Sequence, residues 1–118
     1  FMIQGGGFQS NLLQKPTRPP VQSEASADYP NRRCTVAMAR TAEPNSATCQ
    51  FFVNLADNPQ LDHRDKTKEG YGYCVFGKVV KGFEVAETIA REPVGNRGPH
   101  QHVPVNTVLI RQVRRVTR

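Results

Sequence analysis

Tryptophan is absent from the 118 residues, and cysteine is limited to three. Cys34, Cys49 and Cys74 are odd in number and contain no CxxC pair. That argues against a disulfide framework and suits free thiols in a reducing compartment, or simply small core residues. No stretch approaches about 18 consecutive apolar residues, so a membrane-spanning helix is excluded. GxSxG, a phosphate loop and HExxH are all missing. Position 1 is Phe rather than Met, so the lack of a signal peptide carries no information.

What is present is a small, polar chain of 13.2 kDa with 37% apolar residues, room for one domain over residues 1–118. The formal net charge is +6, and most of it falls in residues 77–118. Arg111, Arg114, Arg115 and Arg118 crowd the last eight residues. Such a tail suits either a phosphate-rich partner or a solvated terminal strand. No aromatic residue is interleaved with these arginines, which argues against a single-strand stacking platform.

Short β-branched or aromatic runs predict strands at Phe1–Gln4, Cys34–Ala39, Gln50–Leu55 and Cys74–Val79, with a last strand over Val105–Val116. Gly82–Glu92 has Phe83, Ala86, Ile89 and Ala90 on one stripe and predicts a helix ended by Pro93. Gly5–Arg33 is turn-like in composition, and a segment of that length belongs on the surface. These elements predict a mainly β barrel or sandwich with helical trimming.

Alternation along a strand puts Gln50, Phe52 and Asn54 on one face and Phe51, Val53 and Leu55 on the other. The second face is uniformly apolar and reads as core. The first sets an aromatic ring between two amides, and Met2 and Gln4 repeat the mixture in FMIQ. Two interpretations stand at this point: a shallow apolar site with a few hydrogen-bonding groups, or a half-exposed strand face. His100-x-His102 lacks a third ligand nearby for a metal. Asp62-His63 has no paired nucleophile for a triad. Any chemistry here needs neither a nucleophile nor a metal, and no cofactor is expected.

FMIQGGGF at 1–8, AMARTAEPNSATCQFFVNLADNPQLD at 37–62 and GYCVFGKVVKGFEVAETIA at 72–90 resemble the cyclophilins, peptidyl-prolyl cis–trans isomerases, and most closely their bacterial branch. The resemblance implies a closed antiparallel eight-stranded β-barrel with two capping helices. It also implies that this chain lacks the N-terminal strands and the first helix. Phe1, Met2, Phe52 and Leu61 would form the proline pocket, with Gln4 and Gln50 beside it as catalytic amides. Ala39 and Arg40 would lie along the groove. Gln60 stands where many eukaryotic members have Trp, and Tyr73 where they have His.

The implied activity is rotation about X–Pro bonds in peptides and in unfolded or nascent proteins, without a covalent step. The Gln60 departure implies weak cyclosporin binding at best. The family's F-H-R-x-I motif, whose arginine stabilises the twisted bond, falls upstream of the Phe matching Phe1. A non-catalytic proline-peptide binding module is therefore the alternative. The loop Asp57–Tyr71 reads as a solvated insertion, and the barrel lacking its first strands as marginally stable. Remaining expectations are a monomer in the cytoplasm, with the periplasm as the alternative, and no nucleic-acid or membrane partner.

Overall fold

The computed structural model describes residues 1–117. Four strands form the main sheet: β1 (Met2–Gly5), β2 (Thr35–Met38), β3 (Phe51–Asn54) and β4 (Val75–Lys78). Their order is β1-β3-β2-β4, and each neighbouring pair is antiparallel. β2, β3 and β4 fall inside the runs of β-branched and aromatic residues, whose side chains pack well on a pleated surface, and β1 ends one residue past its run, at Gly5. A register shift at Val36/Ala37 bends β2 against β4.

The helix α1 (Phe83–Ala90) begins after Gly82, which sits at φ 82°, and packs on β1. Ala86 is its buried residue. Between β1 and β2 the chain runs over the surface with few anchors, among them the bridges Phe8–Gln14 and Val21–Ala47. No helix among the described residues is long and apolar enough to cross a membrane.

Two sequence expectations need correction. The last strand does not form over Val105–Val116: residues 105–117 are irregular, and Val108, Leu109, Ile110, Val113 and Val116 are exposed. A strand needs a hydrogen-bonding neighbour, and among the described residues no strand pairs with this segment, whose Val105 amide alone continues the hairpin by donating to the Pro93 carbonyl at 2.8 Å. The pairing occurs just before it, in a hairpin of β5 (Val94–Arg97) and β6 (His100–Pro104). Gly98, at φ 57°, allows the tight reversal between them.

The second correction concerns which face is core. Phe51, Val53 and Leu55 are only half-buried, and with Ile3, Ile89 and Ile110 they border a cavity of about 1420 Å³. The opposite face is the better covered one. Phe52 is 4% exposed, Asn54 and Ala37 are fully buried, and loop residues from 31 and 54–73 fold over it. Periodicity identified the two faces of β3, but coverage depends on what the rest of the chain lays against each.

Candidate functional site

The register between β1 and β3 aligns Met2 with Asn54 and Gln4 with Phe52, so both pairs share the covered face. On the other side of β3, Ala37 lies opposite Phe52, and the Ala39 amide donates to the Gln50 carbonyl at 3.0 Å. Gln4 Nε2 donates to Gln50 Oε1 at 2.9 Å, tying the two amides together across the strands. The pair is exposed, so each amide keeps donor or acceptor capacity for a ligand.

Two glycines make this arrangement possible. Gly7 lies under Gln50: a Cβ there would stand 2.5 Å from the Gln50 side chain. Gly72 takes φ 70°, and a Cβ would meet the Asp62 and His63 backbone at 2.5–2.6 Å. The Gly72 carbonyl is thereby turned toward Arg40, which donates to it from Nε at 3.0 Å and from Nη2 at 2.6 Å.

The Tyr73 ring stands between two partners. Phe52 meets it edge-on with centroids 5.7 Å apart, and the Arg40 guanidinium lies 4.6 Å from its centroid. The Tyr73 amide also donates to the Leu61 carbonyl at 2.9 Å, which places Leu61 beside it. Gln4, Gln50, Phe52, Ala39, Arg40, Leu61 and Tyr73 are thus linked by register, hydrogen bonds or ring contacts, and Met2 shares their face. Phe1 and Gln60 are placed differently. Phe1 is 68% exposed, and its carbonyl ties β1 to Leu55 and Asn58. Gln60 is exposed on a single 3-10 turn, Pro59–Leu61, and reaches Asn58 Oδ1 at 3.4 Å.

Asn54 is not a ligand-facing amide as its pairing with Gln50 suggested. It is fully buried, donating to Asn31 Oδ1 at 3.0 Å and Thr35 Oγ1 at 2.9 Å, and accepting from Asn58 Nδ2 at 2.8 Å. Asn31 Nδ2 in turn donates to the carbonyls of Leu61 at 3.0 Å and Tyr73 at 3.2 Å, while Asn58 Nδ2 also reaches Phe1 O at 3.0 Å. Three buried asparagines therefore join β1, β3 and the loop carrying Leu61 and Tyr73. No buried side-chain polar atom among the described residues lacks a partner. The pattern Asn54-x-x-x-Asn58 was visible in sequence, but nothing marked it as buried.

The loop expected to be a solvated insertion divides in two. Residues 64–69 are exposed, and there Thr67 hydrogen bonds hold the Asp65 carboxyl below its usual range. Asn58 and Gly70 are buried, and Leu61–His63 are half-buried against the site. Among the described residues no three His, Cys, Asp or Glu gather to hold a metal. Cys34, Cys49 and Cys74 are unbridged. The site can thus offer an apolar wall, an amide pair and a guanidinium, and it presents no nucleophile.

Residues 1–115 match the family model described as cyclophilin type peptidyl-prolyl cis-trans isomerase/CLD. The chain is 51% identical to "Peptidyl-prolyl cis-trans isomerase A" of Dickeya dadantii over 97% of its own length and 58% of that protein's. With "Peptidyl-prolyl cis-trans isomerase B" of Escherichia coli it shares 47% identity, over 96% of this chain and 69% of the relative. The chain therefore spans roughly three fifths to two thirds of the curated relatives it matches. Among solved structures, a Cryptosporidium parvum cyclophilin type peptidyl-prolyl cis-trans isomerase, determined in the presence of the dipeptide Ala-Pro, superposes with a TM-score of 0.69. That match has 27% identity and covers 90% of this chain and 62% of the other.

Proposed function

Because this chain belongs to the cyclophilin-type peptidyl-prolyl cis-trans isomerase family, we propose that its covered sheet face holds X–Pro peptides and that, together with a charged donor of the kind the F-H-R-x-I motif carries, it accelerates rotation about the X–Pro bond. The observation that carries this proposal is the Gln4–Gln50 amide pair beside Phe52 on adjacent strands. The related structure determined with Ala-Pro supports the same ligand class.

The chemistry suits such a site. Twisting a peptide bond costs about 18–20 kcal/mol because amide resonance is lost. The cis and trans forms of X–Pro differ by only about 0.5–1 kcal/mol, so the obstacle is the barrier and not the equilibrium. A catalyst needs to hold the proline ring and to favour the twisted amide over both planar forms. Met2, Phe52 and Leu61 would hold the ring. The amides of Gln4 and Gln50 would bond the peptide backbone, and Ala39 would leave room for the chain to pass. Proline-containing segments of unfolded or nascent proteins are the proposed substrates. With Gln60 at the rim in place of an indole, cyclosporin is proposed to bind weakly.

Gln50→Leu tests the groove. The substitution removes the amide that meets Gln4 while keeping similar bulk over Gly7. Binding of the tetrapeptide Ala-Ala-Pro-Phe is expected to weaken about 3–10-fold, the value of one hydrogen bond. The thermal midpoint should move little, because the pair is exposed. Calorimetric titration and a melting curve measure the two effects, and unchanged peptide affinity would contradict the proposed role.

A further inference from the structure

Arg40 has a feature that proline binding does not use. A guanidinium has five N–H donors. Three of them are committed here: Nε and Nη2 to the Gly72 carbonyl, and Nη1 to the Thr41 carbonyl at 2.8 Å. One hydrogen on Nη1 and one on Nη2 remain uncommitted. The acceptors are neutral, and the Tyr73 ring under the guanidinium supplies only a π face. No carboxylate pairs with Arg40 among the described residues. Glu43, on the neighbouring turn, is bound by Lys68 at 2.7 Å. Glu24 borders the same small cavity as Arg40 but forms no ion pair with it.

The result is a half-buried, full positive charge with a fixed orientation and two free donors. Tyr73 links it to Phe52: the guanidinium lies 4.6 Å from the Tyr73 centroid and the Phe52 centroid 5.7 Å from it, so the two are at most about 10 Å apart. Resting on the groove proposed above, we infer that Arg40 is a specificity residue that favours X–Pro peptides carrying an acidic side chain within two residues of the proline. An extended peptide advances about 3.3 Å per residue, so one or two residues and a glutamate side chain span that separation. The fixed fork of donors matches a carboxylate in bidentate geometry. Preorganisation by Gly72, Thr41 and Tyr73 removes most of the ordering cost that weakens ordinary surface ion pairs.

The test compares glutamate with its neutral isostere on the peptide, leaving the protein unchanged. Tetra- and pentapeptides based on Ala-Ala-Pro-Phe would carry Glu or Gln one or two residues before or after the proline. At one of these positions Glu is expected to bind about 3–10-fold more tightly than Gln at low salt, and the gap should narrow as salt rises. In Arg40→Gln the gap should fall below about twofold, while Arg40→Lys should retain part of it. Equal affinities for Glu and Gln at every position would overturn the inference, as would a preference that survives Arg40→Gln. If the Gln peptides and Ala-Ala-Pro-Phe all bind but show no charge preference, only this inference fails. If no proline peptide binds, the groove proposal fails with it.

Discussion

An F-H-R-x-I segment from one of the longer relatives, joined with its connecting residues ahead of Phe1, is expected to raise kcat/KM on a proline tetrapeptide by about 100- to 1000-fold. The 118 residues contain no such motif. The groove supplies an apolar wall and two neutral amides, but no charged donor aimed at the twisted bond. Only interactions stronger in the transition state than in the ground state lower the barrier. A charged donor aimed at the twisted bond acts only in the transition state, and loss of one preorganised donor typically costs two to three orders of magnitude in rate. Arg40 is not placed for that role: the Gly72 and Thr41 carbonyls hold its guanidinium against the Tyr73 ring, and it makes no hydrogen bond to Gln4 or Gln50. The 118-residue polypeptide alone should therefore bind proline peptides yet isomerise them close to the spontaneous rate in a protease-coupled assay. A large rate without the added segment would contradict this division of labour, and so would no gain with it.

The second large effect concerns the buried asparagines. Asn54→Leu is expected to destabilise the fold by about 2–5 kcal/mol, because it strands Asn31 Oδ1 and deprives Asn58 Nδ2 of one of its two acceptors in a fully buried site. Peptide affinity should fall as well, since Asn31 and Asn58 fix the Phe1, Leu61 and Tyr73 carbonyls that frame the groove. Chemical denaturation and peptide titration measure the two losses. Glu87→Ala provides a contrast. It removes only the Arg33–Glu87 contact at 3.4 Å between side chains that are 52% and 44% exposed, so the change should stay within about 0.5 kcal/mol. Equal stability losses in the two variants would show that the asparagine network does not hold the site together.

Much of this was legible in the chain. The β-branched runs marked β1 to β4, and period-two alternation separated the two faces of β3. The helix stripe and Pro93 marked α1 to within a few residues. Alternation could not say which face of β3 is covered. That depends on long-range packing, here of residues 54–73 over Phe52 and Asn54. The terminal strand failed for a related reason: Val108, Leu109 and Ile110 have β propensity, but propensity does not supply a partner. Asn54 illustrates the limit at the site itself. Beside Phe52 it resembled a ligand-binding amide, and only the hydrogen bonds to Asn31, Thr35 and Asn58 reveal a structural one. The stack of Arg40 on Tyr73 joins residues 33 positions apart, and nothing in their spacing announces it.

The central claim is that X–Pro peptides bind the Phe52 face of the sheet. Titrating the isotopically labelled chain with Ala-Ala-Pro-Phe and following backbone amide shifts by NMR tests it most directly. The perturbed amides are expected to cluster at Met2, Gln4, Ala39, Gln50, Phe52 and Tyr73. Perturbation confined to Ile3, Val53, Ile89 and Ile110, which border the large cavity on the opposite face, would contradict it, as would no perturbation at saturating peptide.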